Sequence, residues 1–231
     1  MQLYTYYRSP ASYRVRIALH LKKQKYTHKS VHLVKNGGEQ HTAEYKELNP
    51  QELVPTLVDG KTVLTQSLAI IEYLDEKKPE PPLLPQKPAD RAFARQIAHI
   101  CAVDTHPFGT LRVLNYMSGE LAVSQTQKTD WQKYWISKGF DAIEYWLDKN
   151  TQHKNTFVCG NTPTLADICL IPQVYEARRL EMDIAQWPKI EQVEKRCLKL
   201  EAFQKAAPEE QPDTPDDQRP DILKNRVNHG G

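Results

Sequence analysis

The chain has 231 residues, with 31 Lys+Arg against 29 Asp+Glu and a formal charge of +2, and that near-balance gives no reason to expect nucleic acid or an anionic membrane as main partner. The length suits one large domain or two small ones, and 39% hydrophobic residues, with 11 Tyr and 4 Trp, suffice for a core. No apolar run approaches the roughly 18 residues of a membrane span, the start MQLYTYYRSP lacks a signal-peptide layout, and Cys101, Cys159, Cys169 and Cys197 form no CxxC pair, so a soluble cytoplasmic protein with reduced, mostly buried thiols is expected.

Residues 3–6 are a short β-prone run. Ser9-Pro10 then precedes Val15, Ala18, Leu19 and Lys22 at helical spacing, with Ser placed to cap and Pro to open a helix. Residues 26–34 return to alternation, and 42–48 suit a short helix ended by Asn49-Pro50. The runs 56–58 and 62–64 flank Asp59-Gly60, the strongest hairpin signal in the chain. Ser67 opens a helix through Leu68, Ile71, Tyr73 and Leu74, which completes the order β-α-β-α-β-β-α. Pro79, Pro81, Pro82, Pro85 and Pro88 forbid regular structure and mark a linker. Beyond it, 89–117, 129–149, 165–181 and 189–206 carry helical spacing, and Thr164 with Asp167 is a capping-box variant. From Pro208 the chain is polar and Pro-rich, which predicts a poorly ordered tail. The expected organisation is an α/β domain over 1–78, a linker over 79–88, an all-helical domain over 89–207 and a tail over 208–231.

Four blocks carry a family likeness. SPASYRVRIAL at 9–19 resembles the SSCSWRVRIAL signature of the zeta class of the glutathione S-transferase superfamily, and NPQELVPTL at 49–57, TQSLAIIEYL at 65–74 and QPDTP at 211–215 match further blocks of that class. The likeness runs from about residue 2 to about residue 219, and the first three blocks stand in the family's order. It implies an α/β N-terminal thioredoxin-like domain plus an all-α C-terminal domain, a homodimer, and glutathione as catalytic cofactor. The implied activity is cis–trans isomerisation of maleylacetoacetate to fumarylacetoacetate in tyrosine and phenylalanine breakdown. In that reaction a thiolate adds to the double bond, the resulting single bond rotates, and elimination restores the thiolate.

The residues fit this chemistry unevenly. Only a thiolate is nucleophilic, and a thiol with pKa near 8.5 is mostly protonated at neutral pH. A helix N-terminus and a hydroxyl together favour the anion. Ser9 stands where both would converge, although a plain N-cap is the simpler reading of that position. Pro10 and Ala11 replace the Ser and Cys of the signature, so the family cysteine has no counterpart here, and Ser12 remains as an auxiliary hydroxyl. Gln66-Ser67 at a helix start suits a γ-glutamyl carboxylate, with an ordinary cap as the alternative for Ser67. For Val54-Pro55 the resemblance implies a cis peptide that leaves the Val54 backbone to pair with the cysteinyl part of glutathione; the alternative is a plain turn proline. Gln40 aligns with a glycyl-contact position and His106 with a further contact position. A dicarboxylate substrate needs forked cations: Arg8 and Arg14 flank the proposed sulfur site, and Arg179 aligns with a family arginine, with solvent exposure the alternative for each. No metal-ligand spacing and no GxGxxG, P-loop or GxSxG motif is present. Conjugation or dehalogenation of small electrophiles such as α-haloacids, or a non-catalytic role on the same fold, are the rival readings.

Overall fold

In the computed structural model, which describes residues 1–150 and 157–219, the chain divides into two units: Met1–Pro81 joined by the segment from Glu201 onward, and Pro82–Leu200. The first unit runs β1 (Gln2–Thr5), α1 (Pro10–Leu21), β2 (Thr27–Ser30), α2 (Ala43–Leu48), β3 (Thr56–Asp59), β4 (Thr62–Thr65), α3 (Ser67–Lys77), the order the sequence predicts. The sheet order is β2-β1-β3-β4, with β1 parallel to β2 and antiparallel to β3, and β3 antiparallel to β4. Leu3 faces Leu57 across the central pair, and both are wholly buried. Residues opposite one another share a face, so this pair anchors the buried side of the sheet. Helix α1 buries Tyr13, Val15, Ile17, Ala18 and Leu19, α3 buries Ile70, Ile71 and Leu74, and the two helices pack together.

Two local expectations shift. The hairpin turn centres on Gly60 and Lys61, because Asp59 still pairs with Thr62; Gly60 takes the left-handed φ of +62° that the tight turn requires. The alternation expected through Val34 stops at Ser30. There His32 Nδ1 accepts from the Val34 and Lys35 N–H groups (3.2 and 2.9 Å), and Glu39 accepts from the His32 N–H (2.6 Å), so side chains replace the ladder.

Among its described residues the second unit is built of helices, α4 (Pro88–His99), α5 (Leu111–Gly119), α6 (Gln125–Lys149), α7 (Leu165–Arg179) and α8 (Pro188–Cys197), with one isolated antiparallel bridge between Phe157 and Gly160. The single helix expected over 89–117 is broken. A π-helical stretch Ile100–Thr105 and a 3-10 turn His106–Gly109 separate α4 from α5, and Pro107, which has no N–H to donate, stands in the break. Helix α6 starts earlier than its apolar spacing suggests, because Ser124 and Gln127 form a reciprocal capping box. It packs on the π-helical stretch at Gly139, where a Cβ would stand 2.2 Å from Thr105 Oγ1. The capping box at Thr164 is present, and its Asp167 carboxylate also accepts from the Val158 N–H (2.9 Å). Among the described residues, no helix is long and apolar enough to cross a membrane.

The helix expected over 189–206 ends at Cys197. The Lys199 and Leu200 N–H groups bond only three residues back, to Arg196 and Cys197, which tightens and stops the turn. Helix α9 (Glu201–Ala206) then packs on α1 in the first unit, burying Phe203 and Ala206. The segment after it departs from the poorly ordered tail that its composition suggests. Through Arg219 it is pinned by polar bonds: Gln211 and Thr214 are buried, and the Gln211 amide donates to Lys205 O (2.9 Å) and Ala207 O (2.8 Å). Composition misleads here because side chain-to-backbone bonds, and not apolar bulk, hold the segment. Residues 220–231 of the expected tail lie outside the described residues.

Candidate active site

Two helix N-termini of the first unit hold most of the predicted residues. At α1, Ser9 is buried with extended φ/ψ (−69°, 119°) and its Oγ accepts from the Ser12 N–H (3.2 Å), with Pro10 in the first turn. Ser9 is therefore an N-cap, and capping leaves its own O–H proton available to a ligand, since a hydroxyl is one donor and two acceptors. Ser12 is wholly buried, and its Oγ has no hydrogen-bond partner among the described residues. A buried hydroxyl left unspent is uncommon away from functional sites.

At α3, Gln66 precedes the helix with φ +69° and ψ 114°, in the left-handed half of the map where a residue with a side chain costs about 1–3 kcal/mol. Its amide donates to Gln51 Oε1 (2.8 Å), which ties the helix start to the 49–57 block; Gln51 is a site neighbour that the spacing of motifs does not single out. Ser67, at the first helical position, is buried and accepts from Arg14 Nη1 (3.3 Å). Arg14 is 1% exposed, which removes the solvent-exposed alternative, and its guanidinium links the second turn of α1 to the start of α3. Arg8 is half-buried in the turn before Ser9.

The 49–57 block contains Val54 and Pro55, joined by a cis peptide and both buried. The Val54 backbone N–H has no partner among the described residues. Gln40 lies in the 3-10 turn Glu39–His41, 7% exposed, with Nε2 directed to Leu33 O (3.3 Å) and Oε1 without a hydrogen-bond partner. His106 and Arg179 belong to the second unit: His106 is half-buried at the helix break, and Arg179, at the end of α7, pairs with Glu176 through its Nε (3.0 Å). A cavity of about 650 Å³ between β2 and α2, lined by Tyr4, Lys29, Glu44 and Tyr45 among others, contains none of the predicted residues.

The electrostatics favour an anion at this end of the first unit. Helix N-termini present unpaired N–H groups and the positive end of the dipole, and Arg8 and Arg14 add charge. Arg16 is wholly buried, and burial lowers its guanidinium only to about 10, so it stays charged. Burial pushes the Tyr6 phenol above its ordinary range and keeps it protonated. The cysteines do not compete as nucleophiles. All four are buried and outside any disulfide, burial pushes the Cys159 thiol up to about 12, and burial beside Asp167 raises Cys197 further. Glutathione fits the first unit on these grounds: the Ser9 proton, the Ser12 hydroxyl, the Val54 N–H and the Gln40 carbonyl are polar groups that the fold itself does not consume.

A family model for the glutathione S-transferase N-terminal domain matches residues 3–82, and one for the C-terminal domain matches residues 112–200. A probable maleylacetoacetate isomerase of Vibrio cholerae serotype O1 is 46% identical over 211 residues, covering 91% of this chain and 97% of that protein. Among solved structures, a holo maleyl pyruvate isomerase described as a bacterial glutathione S-transferase of the zeta class is 43% identical with a TM-score of 0.90, covering 93% of this chain and 100% of that one. A maleylacetoacetate isomerase from Methylobacterium extorquens AM1, solved with malonate and glutathione bound, is 34% identical with a TM-score of 0.88 and the same coverage of 93% and 100%.

Proposed function

This chain belongs to the glutathione S-transferase family, and on that premise we propose that it is a zeta-class enzyme that isomerises maleylacetoacetate to fumarylacetoacetate, cis to trans, in tyrosine and phenylalanine breakdown. The observation that carries the reading is a buried serine capping α1 with its proton unspent, in a chain 46% identical to a protein named for that reaction. When bound, glutathione would supply a thiolate for reversible addition to the activated double bond, the chemistry that permits rotation about it.

The chain's own residues do the rest. Ser9 donates to the sulfur at the positive end of α1 and lowers its proton affinity. Ser12 stands one turn on as a second hydroxyl. Gln66 and Ser67 hold the γ-glutamyl carboxylate at the start of α3, with Arg14 fixing the Ser67 hydroxyl. Val54, after which Pro55 opens the way to β3, offers its backbone N–H to the cysteinyl peptide, and Gln40 takes the glycyl end. Arg8 and Arg14 serve the substrate dicarboxylate, and the family likeness gives Arg179 the same role and His106 a contact with glutathione. The malonate in the M. extorquens relative and the citrate in one from Anaeromyxobacter dehalogenans support a subsite for carboxylates. The protein works as a cytoplasmic homodimer; its four cysteines, none in a disulfide, suit a reducing compartment.

The deciding experiment follows maleylacetone with and without glutathione. Isomerisation that requires glutathione, and leaves it unconsumed, is the expected result. Glutathione consumed on chloroacetic acids without isomerisation would replace this reading with a transferase, and failure to bind a glutathione matrix would leave neither.

A further inference from the structure

The turn that carries Ser9 is held from outside the site. Tyr6 O accepts from the Ser9 N–H (3.1 Å) and from Arg16 Nη1 (3.2 Å), and Tyr7 O accepts from Arg16 Nη2 (2.8 Å). Arg16 Nε donates to Ala206 O on α9 (2.9 Å). The remaining polar groups of Tyr7 go to the segment after α9: its N–H donates to Asp213 Oδ2 (2.9 Å) and its phenol O–H to Gln218 Oε1 (2.9 Å). Asp213 Oδ2 also accepts from Ser30 Oγ at the end of β2 (3.3 Å), and Oδ1 stands 3.1 Å from His28 Nε2. The carboxylate is 8% exposed, so these contacts form in a poorly hydrated place.

The QPDTP block thus has a physical use that nothing in the sulfur site explains. A segment of this composition has little apolar surface to bury. What it delivers is one carboxylate on the backbone N–H two residues before Ser9, a charge-assisted bond of the stronger kind. Tyr7 N–H, Tyr6 O and Tyr7 O are then all committed, so three backbone groups of the turn that leads into Ser9 are held in place. Misplacing a reacting group by about 1 Å can cost on the order of a hundred-fold in rate.

We propose that Asp213, assisted by Gln218, is a positioning residue for Ser9: the C-terminal segment clasps the Tyr6–Ser9 turn and holds its hydroxyl on the glutathione sulfur. Its kinetic part rests on the isomerase reading above; its structural part does not. The test uses the full chain and two readouts, amide hydrogen exchange over residues 7–12 and isomerase kinetics. Asp213→Ala should speed that exchange by about ten-fold or more while exchange in α7 stays unchanged. It should lower kcat by about ten-fold and move KM for glutathione by less than about three-fold. Asp213→Asn should restore both to within about three-fold, since its amide oxygen still accepts from the Tyr7 N–H. Gln218→Ala should show the same effects at about two- to three-fold, and it serves if Asp213→Ala does not fold. Unchanged exchange at 7–12 in the variant that folds, or an Asn variant as impaired as Ala, would overturn the proposal. A wild-type protein without glutathione-dependent isomerisation would refute the chemistry assigned to Ser9, and the exchange comparison would still decide whether Asp213 holds the turn.

Discussion

At the scale of single residues, Ser9 shows that the two readings of its position are compatible. As an acceptor it caps α1 through Ser12, and as a donor it retains one proton. Ser9→Ala should therefore cost about 1 kcal/mol of stability from the lost cap and a larger factor in turnover. Without the donor, the thiol pKa of bound glutathione should rise by about one to two pH units. Turnover at neutral pH should then fall about ten-fold or more, with a smaller loss of glutathione affinity and partial recovery as pH is raised. A thiolate absorbance titration of the complex measures this directly, and an unshifted titration in Ser9→Ala would leave Ser9 as a cap alone. The charged neighbours sort differently from their sequence appearance. Arg14 and Arg16 lie on a helix where solvent exposure is the ordinary expectation, yet both are buried, one on Ser67 and one on four oxygens of the chain.

At the scale of elements, the start of α7 combines a helix cap with a titratable core group. Asp167 is wholly buried and accepts from the Val158 N–H (2.9 Å), the Thr164 N–H (2.8 Å) and the Thr164 hydroxyl (3.0 Å). Burial pushes its carboxyl up to about 6, against the pull of those bonds. In the unfolded chain the value is near 3.9, so between the two the folded state binds the proton more tightly. The stability this group contributes is fully present below about pH 4 and is lost as pH rises through about 6, a change on the order of 2 kcal/mol. Asp167→Asn cannot titrate, so the stability advantage of wild type over it should shrink by that amount between pH 4 and pH 7. Urea unfolding at both pH values checks this, and a pH-independent difference would mean that the hydrogen bonds hold the carboxyl at its ordinary value.

At the scale of the whole molecule, the chain is two units whose boundary does not follow sequence order, because α9 and the segment after it return to the first unit. Large apolar side chains remain exposed on both: Val63 on the edge strand β4, and Tyr134, Tyr145 and Trp146 on α6. Single exposed apolar residues are ordinary, and the proposed homodimer, a twofold assembly, is tested by mass. Sedimentation at micromolar concentration should give about twice the 26.7 kDa of one chain; a species at the monomer mass would overturn the homodimer.

The sequence by itself determined whatever is local in its cause. The order of strands and helices in the first unit, the caps at Ser9 and Thr164 and the hairpin near Gly60 all rest on backbone preferences and short-range periodicity. The motif blocks at 9–19, 49–57 and 65–74 likewise point to the two helix starts that the structure bridges with one Arg14–Ser67 bond. Only the tertiary structure decided the rest, because its causes are contacts between residues far apart in the chain. Gln51 reaches Gln66 across 15 residues, Arg16 reaches Ala206 across 190, and Asp213 reaches Tyr7 across 206. Polar side chains that hold backbone groups at such distances carry no periodic signal. A segment rich in Pro, Gln and Asp reads as unstructured until the strands and helices it binds have formed the surface that pairs with it.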